Sequence, residues 1–185
     1  GIDSDDSLSV SGDLSIVGGT LDTKDPNDSN KDMDINVRGN VNIASGATLI
    51  ANSSRREVGG DFIVANENHR FRRGTSHVIL DGVGNVYNPA YDSRFDRVTV
   101  AAQSSATTTM TGGLRTRILE IGPGTFAMGT HGVVTGDDAA EGDTIVLSDA
   151  AATVTGGTYP SIALGSGSGT TYYVQGGNYG AVEFN

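Results

Sequence analysis

The sequence predicts an all-β chain wound as a parallel β-helix, a solenoid of about seven or eight coils. Three observations predict it. A phrase of alternating apolar and small polar residues recurs at offsets of 27 and 21 residues. The apolar positions keep a period of two, the strand period, in runs of three to five residues. Gly, Asn, Asp or Ser ends each run, as turns require. A β-sandwich is the alternative, since short strands separated by turns also build one.

The first phrase runs from Leu8 to Leu21, with Gly12-Asp13 at its centre. The second runs from Ile35 to Leu49: Ile35 answers Leu8, Val37 answers Val10, Gly39 answers Gly12, and Asn40, Val41 and Ile43 answer Asp13, Leu14 and Ile16. A third begins at Val58, where Gly60, Asp61, Phe62 and Val64 repeat Gly39, Asn40, Val41 and Ile43. Stacked coils would put Val10, Val37 and Val58 in one buried column, each coil lying about 4.8 Å from the next. Gly12, Gly39 and Gly60 would share a corner that needs either a left-handed turn or room that a Cβ would fill. Asp13, Asn40 and Asp61 would form a ladder beside it that caps the turns through backbone amides. The functional alternative for that ladder is a row of metal ligands, with Asn40 relieving the repulsion of stacked carboxylates.

Residues 22–34 and 65–77 read as loops inserted into a single solenoid domain spanning 1–185. In the first, Asp25, Asn27 and Ser29 match the opening of a calcium loop. No glycine follows at the sixth position, and Asn36 stands where a calcium loop has glutamate, so a solvated acidic loop is the favoured reading over calcium. In the second, Arg70, Arg72 and Arg73 surround Phe71, with Arg55 and Arg56 upstream. Arginine grips sulfate and carboxylate in bidentate fashion, so these five are the candidates for an anionic partner such as an acidic polysaccharide or another subunit. The plainer reading is a solvated, salt-bridged loop.

Short strands continue through Val78–Val86, Phe95–Val100, Thr111–Ile121 and Ile145–Leu147. The last two phrases, from Val154 and Val174, share Gly-Gly-x-Tyr followed by apolar residues at an offset of 20. Tyr159 and Tyr179 thereby fall at equivalent positions, as corner fillers or as a platform for a glycan.

Composition narrows the function. Cysteine is absent, so disulfides and zinc–thiolate sites are excluded. No apolar run is long enough to span a bilayer as a helix. Net charge is −10, which argues against nucleic-acid binding. It is banded: residues 1–37 hold nine Asp and two Lys, residues 38–117 ten Arg and six acids, and residues 118–185 seven acids and no Lys or Arg. His69, His77 and His131 form no metal-binding pair, no serine sits in a Gly-x-Ser-x-Gly elbow, and Gly165–Gly169 lacks the Lys of a phosphate cradle. No enzyme activity and no cofactor beyond calcium is expected. Asn27 and Asn52 begin acceptor sequons for glycosylation. The chain starts at Gly1, and removal of a leader is the expectation that puts it outside the cell or on its surface.

The phrase Leu-x-Val-x-Gly-[Asp/Asn]-Leu-x-Ile, with Val78-Ile-Leu-Asp-Gly and Leu119-Glu-Ile-Gly-Pro-Gly-Thr-Phe, resembles the repeats of secreted bacterial and archaeal β-helix proteins. The resemblance implies adhesins, passenger regions or surface filaments. It supplies an architecture and no catalytic residue. No helix is expected to cap either end, so neighbouring subunits should cover them, through Ile2 on one side and Tyr179, Val182 and Phe184 on the other. The expected function is a non-catalytic, self-assembling subunit of an extracellular fibre or matrix, joined head to tail. A virion decoration or fibre protein and a carbohydrate-binding module are the alternatives.

Overall fold

The computed structural model describes residues 7–25, 32–65, 70–82, 84–87, 95–101, 107–112, 114–135, 145–147, 152–164, 173–175 and 178–184. Every element among them is a strand. The first coil gives β1 (Ser7–Val10), β2 (Leu14–Ile16) and β3 (Gly19–Asp22). The second gives β4 (Asp34–Val37), β5 (Val41–Ile43) and β6 (Ala47–Ile50), and the third β7 (Arg55–Val58), β8 (Phe62–Val64) and β9 (Phe71–Arg72). Then come β10 (His77–Leu80), β11 (Gly84–Tyr87), β12 (Phe95–Val100), β13 (Thr107–Met110) and β14 (Leu114–Ile121). The chain continues with β15 (Gly124–Thr135), β16 (Ile145–Leu147), β17 (Ala152–Leu164), β18 (Tyr173–Gln175) and β19 (Asn178–Phe184).

Each strand pairs with the strand one coil away, and every strand ladder among the described residues is parallel, unlike the antiparallel sheets of a sandwich. The architecture is a β-solenoid with three strands per coil, written most plainly in the first three coils. On the first face the ladder runs from Val10 through Val37, Val58, Leu80, Val100, Ile121, Leu147 and Leu164 to Phe184. Leu14, Val41 and Phe62 run up the second face. Leu21, Leu49 and Phe71 run up the third. The three valines of the repeated phrase do share one column: Val37 and Val58 are buried, and Val10 is half-buried against the same core.

Alternation explains the core. In β4 and β5 every second side chain is buried, and those between face solvent. One coil cannot hide its own apolar side chains, so burial comes from stacking, at about 2 kcal/mol for each aliphatic or aromatic side chain enclosed. In mid-solenoid Phe62, Phe71 and Phe95, on different strands, meet in the interior with ring centroids 4.9–5.8 Å apart.

The corners follow the repeated Gly-Asp/Asn. A Cβ on Gly39 would lie 2.8 Å from the backbone carbonyl of Gly12, and one on Gly60 would lie 3.0 Å from that of Gly39. Both glycines are demanded by the preceding coil and neither has a left-handed backbone. Lys24 and Asp32 form an antiparallel bridge, so the segment between them begins and ends at one point on the surface. The segment expected as a loop at 65–77 carries β9, which stacks on β6 with Phe71 fully buried.

Candidate functional site

The first face carries two columns of side chains, polar except at Ile79, that alternate with the core columns. Ser7, Asp34, Arg55, His77 and Arg97 stand in one, and Ser9, Asn36, Glu57, Ile79, Thr99 and Glu120 in the other. Their charges are met within the face. Arg55 Nη2 lies 2.6 Å from Glu57 Oε1, and Asn36 Nδ2 donates to Glu57 Oε2 at 2.8 Å. Arg97 is ion-paired with Glu120. The Thr99 hydroxyl donates to Glu120 Oε2 at 3.0 Å, and His77 Nε2 lies 2.7 Å from Thr99 Oγ1. A hydroxyl has one proton, so His77 Nε2 is the donor to Thr99 and the neutral ring carries its proton there. Burial and the flanking Arg97 and Arg55 push His77 below its ordinary pKa, and Glu120 only partly opposes them.

The five arginines expected to serve an anionic partner do not form one patch. Arg55 is on the first face, while Arg72 is on β9 of the third, exposed, with Arg70 and Arg73 half-buried beside it. Arg70 Nη1 donates to Ala47 O at 3.4 Å. Arg56 faces the core, and its expected outward role is corrected by the alternation of β7, which buries Arg56 and Val58 together. It occupies the column of Ile35 and Val78, 1 % exposed. Its Nη2 donates to Ala51 O at 3.0 Å and its Nη1 to Ser54 O at 3.2 Å, while its Cζ lies 5.9 Å from the centre of the Phe71 ring. Nε has no hydrogen-bond partner among the described residues. Burial pulls its pKa down to about 10, against the attraction of Asp34 and Asp32.

The Asp/Asn ladder acts as turn caps. Asp13 Oδ1 accepts Asn40 N at 2.8 Å and Asn40 Nδ2 at 3.1 Å, and Asn40 Oδ1 accepts Asp61 N at 2.8 Å. Among the described residues no group of three or more His, Asp or Glu side chains is placed to hold a metal ion. Asp25 is half-buried, and Asn27 and Ser29 of the calcium reading lie outside the described residues. Of the two sequons, Asn27 is likewise outside, and Asn52 Nδ2 donates to Asp22 Oδ1 at 2.8 Å. Tyr159 and Tyr179 are register partners on β17 and β19. Ile2 is outside the described residues, while Val182 and Phe184 stand opposite Ile162 and Leu164.

The ends of the ladders are the remaining site. Among the described residues β1, β2 and β3 each pair on one side only, with β4, β5 and β6. Leu8, Val10, Leu14 and Leu21 of this coil are half-buried, while Ile35, Val37, Val41 and Leu49 above them are 2 % exposed or less. Beside β1 opens a groove of about 320 Å³ lined by Ser9, Val10, Ser11, Asn36 and Arg38. At the far end β19 pairs, among the described residues, only with β17. Sequence reasoning singled out neither Arg38 nor the His77–Thr99–Glu120 chain. The signal for the chain lay in the offsets of 22 and 21 residues that put His77, Thr99 and Glu120 on successive coils.

No protein family, curated protein or solved structure matches the chain in comparison. The fold defines it as a repetitive β-solenoid scaffold. Among the described residues no helix is long and apolar enough to cross a membrane.

Proposed function

We propose that the chain is a non-catalytic structural subunit of an extracellular fibre or matrix, assembling head to tail with copies of itself. The observation that carries this reading is the contrast between the first coil, with its half-buried leucines and valine, and the closed second coil directly above it. Edge strands with apolar side chains beneath them are templates for another strand. Gly12 supports the same reading. Gly39 and Gly60 are glycine because the preceding coil leaves no room, yet a Cβ on Gly12 would meet nothing within 4 Å. A coil stacked beneath it would demand the glycine there, as the preceding coil does at Gly39 and Gly60. A β19 edge carrying Val182 and Phe184 in register with the core columns continues the ladder onto Leu8 and Val10 of the next copy. The extracellular placement rests on the resemblance of the repeat phrase to secreted β-helix proteins.

Electron microscopy and sedimentation of the purified chain test this. Unbranched filaments whose length grows with concentration are expected. A monomer at every concentration, or a closed oligomer of fixed size, overturns it.

The register pairing of Tyr159 with Tyr179 favours a second reading, a carbohydrate-binding module with two tyrosines one coil apart. Retention of a glycan by the monomer, lost in Tyr179→Ala, would favour it over assembly.

A further inference from the structure

The first-face register, carried across the end-to-end joint just proposed, brings one charged residue from each copy to the same place. Ala163 pairs with Glu183, and Leu164 with Phe184, so β19 presents Val182, Glu183 and Phe184 at its open edge. One coil further the same columns are occupied by Leu8, Ser9 and Val10 of the next copy. Glu183 then stands over Ser9, in the column that continues through Asn36 and Glu57.

Arg38 lies beside that column. It follows Val37 at the end of β4, is exposed, and lines the groove together with Ser9, Val10, Ser11 and Asn36. Its backbone amide donates to Val10 O at 3.0 Å, which fixes it against β1. Its guanidinium makes no ion pair among the described residues, whereas Arg55 on the same face is held by Glu57. Arg38 is also the first arginine of the chain, following a segment of nine Asp and two Lys. Residues 1–37 are thus net acidic, and Arg38 is the cation that lines the groove beside β1. Glu183 of the incoming copy would be about two coil spacings away along the axis and two residues along the strand, about 12 Å between backbones, within the combined reach of a glutamate and an arginine.

We infer that Arg38 of one copy pairs with Glu183 of the copy joined to it, and that this pair sets the register of the joint. The partner at the groove is a second copy of this chain. The pair gives the joint a direction, because one group lies beside the β1 edge of the ladder and the other on the β19 edge, and only a head-to-tail contact brings them together. It also offsets the repulsion between two acidic ends, which ionic strength screens over about 10 Å at 0.1 M salt.

The test is a charge exchange read by sedimentation and electron microscopy, with a thermal melt of each dilute variant to show that it folds. In 0.1 M salt, Arg38→Glu and Glu183→Arg should each raise the concentration needed for filaments about tenfold, a like-charge contact replacing an attractive one. The double variant should assemble near the wild-type concentration. An equimolar mixture of the two single variants should do so too, since each joint of an alternating copolymer then meets opposite charges. The single-variant defects should shrink in 0.5 M salt. Single variants that assemble like the wild type, or a double variant as impaired as the singles, overturn the pairing while leaving head-to-tail assembly in place. Failure of the wild-type chain to form filaments overturns both.

Discussion

Asn40 joins three coils: its Nδ2 donates to Asp13 Oδ1 at 3.1 Å on the coil below, and its Oδ1 accepts the Asp61 amide at 2.8 Å on the coil above. A side-chain amide can donate downward and accept upward at once, which a carboxylate cannot. The carboxylates on either side can only accept. Asn40 thus converts what would be a column of stacked negative charges into a hydrogen-bonded ladder.

Asn40→Asp should therefore destabilise the fold although it keeps the acceptor for Asp61. The lost donor and the new repulsion against Asp13 together cost about 1–2 kcal/mol at this exposed corner. Asn40→Ala, which loses both bonds but adds no charge, should cost about 1 kcal/mol. Denaturant melts at low and high salt separate the two. The Asp deficit should shrink in 0.5 M salt and the Ala deficit should not, because salt screens exposed charges only. Equal salt dependence would remove repulsion from the account.

The corner glycines make a paired prediction. Gly60→Ala drives a Cβ to 3.0 Å from the Gly39 carbonyl and closer still to the Asn40 side chain, so it should cost about 2 kcal/mol. Gly12→Ala meets nothing within 4 Å and should melt within about 0.5 kcal/mol of wild type. If a coil of another copy stacks below Gly12, the same substitution should suppress filaments while sparing the monomer. A Gly12→Ala chain that assembles normally would count against that stacking.

Arg56 is costly where it stands. A guanidinium held near pKa 10 by burial, with Nε unpartnered and no carboxylate within ion-pair distance among the described residues, draws little return from its charge. Its two carbonyl acceptors keep other donors without it: Thr23 Oγ1 and Ser54 Oγ reach Ala51 O, and His77 N reaches Ser54 O. Arg56→Met should then be neutral or stabilising by about 1–2 kcal/mol, filling the space beside Phe71 without a buried charge. Arg56→Ala should instead lose about 2–4 kcal/mol to the cavity. Urea unfolding of both decides it, and loss of more than 2 kcal/mol in the Met variant would mean that the charge itself holds the coil together.

The same residue shows where the sequence was legible and where it was not. Val10, Val37 and Val58 could be aligned because a glycine and an Asp or Asn accompany each phrase, and the register partners are those the offsets indicate. Tyr159 with Tyr179 and Leu164 with Phe184 follow from the 20-residue repeat in the same way. Arg56 sits two residues before Val58, on the buried parity of its strand, but its charge argues for solvent. Parity won because Ile35 and Val78, above and below, enclose it whatever its chemistry. Phe71 was hidden differently: a strand of two residues is too short to show a period, and three arginines nearby read as a solvated loop. The outer ladder of His77, Thr99 and Glu120 exists only through stacking, since each member comes from a different coil.

His77 supplies the last prediction, on acid. In the folded chain burial, Arg97 and Arg55 disfavour its protonated form, and Glu120 offsets only part of this, so its pKa lies below that of the unfolded chain. The unfolded state therefore binds a proton more readily, and linkage makes stability rise with pH through that window. The contribution is fully present above the unfolded value near 6.5 and is lost as pH falls through the folded one. Protonation puts a third cation between Arg55 and Arg97 without giving Nε2 a new acceptor, so nothing in the face rewards it. His77→Gln keeps an N–H for Thr99 and cannot take up a proton. Wild type and variant should then have similar melting temperatures at pH 7.5, with the variant the more stable at pH 5. Taking the difference between the two proteins cancels the carboxylates that titrate in both, and a difference that stays constant from pH 7.5 to 5 would show that His77 has no part in the acid response.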